Sequence, residues 1–375
     1  MKSTPPRIAI DARKLHDFGI GTYIRNLLKQ LARIDHDTQY VLFCRPQDCE
    51  GARTLGSNFE IVPERAANYS VAEQIRIPLA LHRHRATLFH EPHYVLPPLV
   101  PCRSVVTIHD CIHLMFPQYL PGRFAYYYAR AQLLAASRRA DRILTVSETS
   151  KRDIVRLLGV PAGKITVIYN AIDDRFWLEP TAEQMHRVRE RYQLHDPFVL
   201  YAGTVKPHKN IDRLIDAFAL VHARGLDRLT LIVIGDDVSR YAGLRRKVLR
   251  YKLHKQIRFL GFQPQDTLAV LYRLASVFVF PSLYEGFGLP PVEAMASGTP
   301  VVTSNISSLA EVAGDAALLV DPYDPEAIAE GIQRAVEDQT LRATLTARGL
   351  ARARSFSWEQ SVRRIHDIYG DIARS

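Results

Sequence analysis

The sequence predicts an α/β protein built of two doubly wound domains. Short apolar runs alternate with helical periods along the whole chain, and the alternation restarts near residue 198. The length of 375 residues supplies two cores at ~100–200 residues per domain.

The first series opens with an apolar strand at residues 7–10. It runs through Asp11 to Gly19-Ile20-Gly21-Thr22, read as a loop before a helix carrying Ile24, Leu27, Leu28 and Leu31. Further β-rich runs stand at 40–43, 60–62, 87–89, 104–108 and 142–146, with helical stretches near 71–84, 123–137 and 149–158. The second series begins with a strand at 199–202 and a polar loop at 203–209. Asn210 is placed to cap a helix bearing Ile211, Leu214, Ile215 and Phe218. Strands follow at 230–234, 257–260, 277–280, 300–303 and 317–320. Asp173-Asp174 and Pro180 mark the junction, so the domains are expected at 1–178 and 179–355, with an amphipathic terminal segment at 356–375.

Composition narrows the function classes. With 47% hydrophobic and 23% charged residues, the chain is globular and not disordered. The net charge of +10 points to an acidic partner but does not choose among nucleic acid, anionic lipid and a phosphorylated substrate. Cys44, Cys49, Cys102 and Cys111 form no CxxC, which reads as reduced thiols in a cytoplasmic protein. No apolar run approaches the ~20 residues needed to span a bilayer, and the N-terminus lacks an apolar signal region.

The segment after the 277–280 strand carries the strongest chemistry: Phe280-Pro281-Ser282-Leu283-Tyr284-Glu285-Gly286-Phe287-Gly288-Leu289-Pro290-Pro291-Val292-Glu293. Gly286 and Gly288 let backbone N–H groups approach a ligand closely. The proline pair suits a helix start, and a helix N-terminus attracts an anion. Glu285 in the loop and Glu293, read as lying in the first turn, are acceptors that suit hydroxyls. Diphosphate plus hydroxyls describes a nucleotide sugar. A second loop, Gly203-Thr204-Val205-Lys206-Pro207-His208-Lys209-Asn210, places two lysines ahead of a helix, where they suit a diphosphate. A third element, Val105-Val106-Thr107-Ile108-His109-Asp110, delivers His109 and Asp110 to the carboxyl end of a strand, where open α/β sheets bind ligands.

These segments resemble the E-x7-E motif and its companions in the retaining GT-B glycosyltransferases of family GT4, and the resemblance covers essentially the whole chain. It implies two Rossmann-like domains facing across a cleft, with the terminal helix returning to the first. Glu285 is then expected on the donor sugar, Glu293 on ribose hydroxyls, and Lys209 on the pyrophosphate. Backbone groups of Gly286, Phe287, Gly288 and Leu289 are expected at the diphosphate and sugar. His109 is expected to face the donor sugar with Asp110 as its partner. Gly203, Thr204 and Gly21 are expected near the donor. Many relatives carry an Arg in the 203–209 loop. Thr204 stands roughly at its place, and Lys206 is the candidate substitute. Phe262, with Arg258, is expected near the nucleobase.

The same resemblance implies retention of configuration by front-face departure, with no metal or other cofactor. Asp236-Asp237 is read as a helix cap and not a metal site. The wording Gly-Phe-Gly-Leu-Pro-Pro resembles bacterial polysaccharide mannosyltransferases, so GDP-mannose is the expected donor, followed by UDP-glucose or UDP-N-acetylglucosamine. The acceptor is expected to be a glycan or a lipid-linked molecule. Arginines alternate with aromatics around Arg123, Arg130, Arg138 and Arg139, which suits peripheral contact with an anionic membrane at the inner face of the plasma membrane. The competing readings are a non-hydrolysing sugar-nucleotide epimerase, a non-catalytic sugar-nucleotide-binding protein and, with fold analogy alone behind it, an NAD-dependent oxidoreductase. Nucleic-acid binding rests on charge alone and is not expected.

Overall fold

The computed structural model describes residues 6–194, 197–237 and 241–374. The chain divides into two compact units. One combines Met1–Asn170 with Ser357–Ser375, and the other is Ala171–Phe356.

Each unit holds one parallel sheet. In the first, β1 (Arg7–Asp11), β2 (Gln39–Cys44), β3 (Phe59–Pro63), β4 (Leu88–Glu91), β5 (Arg103–Thr107), β6 (Arg142–Thr145) and β7 (Ile165–Val167) lie in the order β3-β2-β1-β4-β5-β6-β7. β1 pairs with β2 on one side (Ile8 opposite Tyr40) and with β4 on the other (Ile8 opposite Leu88). These strands read as continuous apolar runs because helices cover both faces of a parallel sheet. Phe43, Phe89, Val106 and Ile143 pack with Ile77 and Leu133 from two of those helices. The helix Glu148–Leu158 shows how local sequence sets its ends. The Ser147 hydroxyl accepts the Ser150 N–H at 3.0 Å, and Gly159 closes it at φ 65°.

The helix Trp358–Arg374 packs on the helix Phe18–Ile34 and on β4. Trp358 meets Tyr23 with ring centroids 6.1 Å apart, buried Tyr369 hydrogen-bonds His90, and the Ser361 hydroxyl donates to the Tyr169 carbonyl at 2.7 Å. This is why the terminal residues belong to the first unit although they are last in sequence.

In the second unit β8 (Phe198–Ala202), β9 (Thr230–Ile234), β10 (Ile257–Gly261), β11 (Val277–Phe280), β12 (Val301–Ser304) and β13 (Leu318–Val320) take the order β10-β9-β8-β11-β12-β13. The division between units falls after Asn170, ahead of the 178/179 position read from the sequence. Phe176 explains the difference. Its ring packs edge-on against Tyr272 at 5.8 Å, and its carbonyl accepts the Ser297 hydroxyl at 3.3 Å.

In each sheet the strand order reverses once, between β1 and β4 and between β8 and β11. Open α/β sheets bind ligands outside the carboxyl ends of their strands at such reversals. Among the described residues no helix is long and apolar enough to cross a membrane.

Candidate active site

In the second unit the loops that follow β8 and β11 are fastened to each other. Asn210 stands at the start of the helix Ile211–Ala223, but in the left-handed region at φ 61° and without a side-chain cap bond. Its amide instead donates to the carbonyls of Pro281 (2.9 Å) and Pro322 (2.6 Å). The capping role expected of Asn210 is therefore replaced by a cross-link between loops. The Leu283 N–H adds a second tie, donating to the His208 carbonyl at 2.7 Å. These ties bring Lys209 Nζ to 2.6 Å from Glu285 Oε1, with the two side chains only 16% and 13% exposed. The Lys209 ammonium also lies 5.2 Å from the centre of the Phe280 ring. Two motifs 76 residues apart thus meet as one ion pair.

Glu285 is held from both sides of its peptide. Its N–H donates to Ser307 Oγ at 3.0 Å, and its carbonyl accepts from Ser307 and Ser308 at 2.9 and 2.8 Å. Ser307 adopts φ 60°, a strained conformation for a residue with a side chain. Sequence reasoning missed this serine pair. Its only signal was its place immediately after the strand next to the Glu285 strand.

The helix Leu289–Ala296 begins behind Gly288 at φ 92°, where a Cβ would stand 2.5 Å from Leu309 Cδ2. Pro290 and Pro291 occupy its first turn, where a missing N–H forfeits no intrahelical bond. Glu293 lies past that first turn, a correction to the sequence reading, and Tyr272 Oη donates to its carboxylate at 3.1 Å. Burial raises the Glu293 carboxyl to about 7. Phe287 is buried against Phe356, so its side chain anchors the loop. Gly203, Thr204 and Lys206 follow β8 in the same loop as Lys209, with Lys206 exposed, and Phe262 is exposed beyond β10. Arg258 donates to the Gln193 carbonyl at 2.8 Å. The residues that follow Asp236-Asp237, where a helix they would cap was expected, lie outside the described residues. The Asp236 carboxylate accepts the Val205 N–H at 2.8 Å and so braces the lysine loop, another support the sequence did not reveal.

In the first unit His109 follows β5. A carbonyl only accepts, so the 3.0 Å contact of His109 Nε2 with the Pro92 carbonyl makes Nε2 the donor. Burial holds this imidazole below its usual range, so it is neutral and its Nδ1 carries the lone pair. Such a group accepts a proton from a hydroxyl. Asp110 accepts the Ile112 N–H at 2.9 Å ahead of the short helix Ile112–Met115, and its charge acts on His109 in favour of the protonated ring, against the effect of burial. Gly21 does not stand in a loop before the first helix, as the sequence suggested. It lies inside the helix Phe18–Ile34, its N–H donates to the Asp17 carbonyl at 2.6 Å, and a Cβ would stand 2.4 Å from the Leu15 carbonyl. Close packing explains this glycine.

At the β1/β4 reversal the side chains are charged and buried. The Arg13 guanidinium donates to both Asp11 oxygens, to Glu73 and to the Ala66 carbonyl. Glu91 ends β4 beside them, and burial, with Asp11 close by, pushes its carboxyl well above the usual range. On the helix Arg123–Arg139, Phe124 is 85% and Tyr127 57% exposed, and Arg123, Arg130 and Arg138 are exposed. Arg139 differs, because its guanidinium donates to the Leu96 and Pro97 carbonyls and serves the fold.

Residues 19–176 match the family model described as Glycosyltransferase Family 4, and residues 183–352 match Glycosyl transferases group 1. The chain belongs to glycosyltransferase family 4. It is 38% identical over 307 residues to the O-antigen chain mannosyltransferase B of Escherichia coli, covering 80% of this chain and 78% of that one. It is also 33% identical over 268 residues to the E. coli serotype-specific mannosyltransferase WbdA, covering 70% of this chain but only 33% of that longer protein. The fold matches sucrose-phosphate synthase from Thermosynechococcus elongatus with a TM-score of 0.79 at 24% identity, over 99% of this chain and 100% of that one. The architecture is thus GT-B, and the protein is a hexosyltransferase of that family.

Proposed function

We propose that this protein transfers mannose from GDP-mannose to a glycan or lipid-linked acceptor during polysaccharide assembly, with retention of configuration. The observation that carries the proposal is the Lys209–Glu285 pair at the β8/β11 reversal. An ammonium fits a diphosphate, and a carboxylate fits sugar hydroxyls. Donor binding exchanges their mutual contact for one ligand group each. The names of the two E. coli relatives support mannose as the sugar.

In the proposed reaction the bond from the anomeric carbon to the diphosphate breaks as the acceptor oxygen bonds to the same face of that carbon. The acceptor proton passes to the departing phosphate oxygen, so charge and atoms balance without an enzyme nucleophile. Lys209 stabilises the charge that grows on the diphosphate. Glu285 orients the sugar, Glu293 accepts ribose hydroxyls, and neutral His109 accepts a hydroxyl of the sugar through Nδ1. No metal or cofactor enters this scheme. We further place the protein in the cytoplasm, touching an anionic inner-membrane face through Phe124 and Tyr127 with Arg123, Arg130 and Arg138 around them.

A thermal-shift panel with GDP-mannose, UDP-glucose, UDP-N-acetylglucosamine, GDP, UDP and NAD tests the donor. At a hundred times its dissociation constant a ligand stabilises the fold by ~2.7 kcal/mol. A shift with the guanine pair alone is expected. A shift with the uracil set replaces the donor, and a shift with NAD alone overturns the function. Sedimentation with phosphatidylglycerol vesicles tests the membrane contact, which Arg123→Glu with Arg130→Glu is expected to abolish.

A further inference from the structure

At the amino ends of β8 and β11 the second unit has a recess of about 510 Å³, lined among others by Pro197, Arg273, Ser276 and Arg342. Pro197 and Ser276 immediately precede those strands, whereas Lys209 and Glu285 follow them. The 5 residues of β8, at ~3.3 Å each, put roughly 15 Å between the two ends of the sheet. The recess is therefore separate from the Lys209–Glu285 crevice. Its volume is that of a small-molecule site, far beyond the ~30 Å³ of one water.

Its arginines differ from the others of this unit. Among the described residues Arg175, Arg213, Arg258 and Arg352 are half-buried, and each guanidinium has an acceptor. These are Asp173 at 2.9 Å, Asn210 Oδ1 at 2.9 Å, the Gln193 carbonyl at 2.8 Å and the Val312 carbonyl at 2.8 Å. Arg273 and Arg342 are half-buried as well, yet neither guanidinium has a hydrogen bond or ion pair among the described residues, and Arg273 Nε is buried without an acceptor. The two are neighbours on the recess. A Cβ on Gly298 would stand 3.4 Å from Arg273 Nη1 and 3.9 Å from Thr346 Cγ2. Thr346 comes four residues after Arg342, on the same face of the helix Gln339–Arg354. Arg189, on the helix Ala182–Tyr192, adds a third guanidinium to the lining, and no carboxylate among the described residues lines it.

Neighbouring cations repel, and a water molecule carries no charge to offset this. An anion does. Each guanidinium is a planar fork that takes two oxygens, so two forks call for four. A carboxylate has two oxygens and fills one fork, whereas a phosphate or diphosphate group fills both.

We propose that this recess is a second anion site, in which Arg273 and Arg342 hold a phosphate or diphosphate group at the end of the sheet opposite Lys209 and Glu285. It is additional to the transferase reading above and does not depend on it.

Calorimetric titration of pyrophosphate into the full chain, with GDP at saturation to occupy the donor crevice, tests the proposal. One pyrophosphate per chain is expected, and acetate in tenfold excess is expected not to displace it. Arg273→Gln and Arg342→Gln are each expected to weaken binding at least tenfold. Arg273→Lys, which keeps the charge without the fork, is expected to lose less. Arg245→Gln with Arg246→Gln removes as much charge from exposed positions of the same unit and is expected to change binding less than twofold. Binding unchanged in Arg273→Gln with Arg342→Gln would overturn the proposal. So would an equal loss in the Arg245 and Arg246 control, displacement by acetate, or no binding to the unsubstituted protein. Competition by dihexanoyl phosphatidic acid identifies the source of the group. Displacement far below the concentration at which inorganic phosphate acts assigns it to a lipid headgroup, and displacement at a similar concentration assigns it to a soluble ligand, each supporting the site. Thermal unfolding without ligand reports folding of each variant, and Arg342→Gln decides the matter if Arg273→Gln does not fold. A missing thermal shift with GDP would defeat the donor reading, and the loss in the Arg273 and Arg342 variants would still decide the recess.

Discussion

At the β8/β11 reversal the chain leaves a glycine-led helix start and a single Lys209–Glu285 pair, whereas at β1/β4 it packs Asp11, Arg13, Glu73 and Glu91 into the interior. The two reversals share a topology and are furnished in opposite ways. The first suits an anion with hydroxyls attached, because a cation and a helix N-terminus both favour negative charge. In the second the Arg13 guanidinium is bound to Asp11 and Glu73 in the interior, so those charges answer one another. The same sheet order thus serves two chemistries according to which side chains sit at the strand ends.

The comparison breaks most visibly at Arg13. Arg13→Met leaves Asp11 and Glu73 buried without their cation and is expected to cost about 3–5 kcal/mol in urea unfolding. Adding Glu73→Gln to that variant is expected to recover part of the loss. Full stability in the single variant would mean the β1/β4 charges are solvated after all. Next in size, Lys209→Ala is expected to lower the transfer rate by about 10²–10³-fold in a steady-state assay, the usual loss on removing one preorganised stabiliser of developing charge. Lys209→Arg should restore some of it, and an unaffected rate would dismiss the β8/β11 crevice as the anion site.

Gly288→Ala probes the backbone of the same crevice. A left-handed conformation costs about 1–2 kcal/mol for a residue with a Cβ, and contact with Leu309 adds to it, so a lowered unfolding temperature is expected. The smallest effect is the sharpest in sign. Burial raises the Glu293 carboxyl to about 7, above its ordinary 4.5. It is therefore ionised, with full capacity to accept ribose hydroxyls, above pH 7, and gains a proton as pH falls through that value. Calorimetry is expected to show nucleotide affinity falling about tenfold between pH 8 and 6, in proportion to the ionised fraction. Glu293→Gln should flatten this dependence.

Much of this was legible in the residues. The alternation of strand and helix periods located both sheets, and the Glu285–Glu293 segment and the Lys209 loop were visible by themselves. The braces were not. Ser307 and Ser308 lie 22 and 23 residues from Glu285, and Asp236 lies 31 residues from Val205. Serine and aspartate near a helix start read as caps, and nothing local says that a side chain reaches to a neighbouring strand's loop. Gly21, read as a loop residue, stands in a helix for a related reason: a glycine needed for close approach looks the same in sequence as one in a loop.

By itself the sequence determined the class of fold, the two-unit organisation and the residue types of the loops after β8 and β11, because periodicity and turn chemistry are local properties of the chain. Only the tertiary structure decided which strands lie beside which, and so which loops meet at each reversal. It set the 2.6 Å pairing of Lys209 with Glu285, the neutral state of His109 and the unsatisfied Nε of Arg273. Each depends on burial and on partners distant in sequence, and desolvation acts only once the chain has closed around a group.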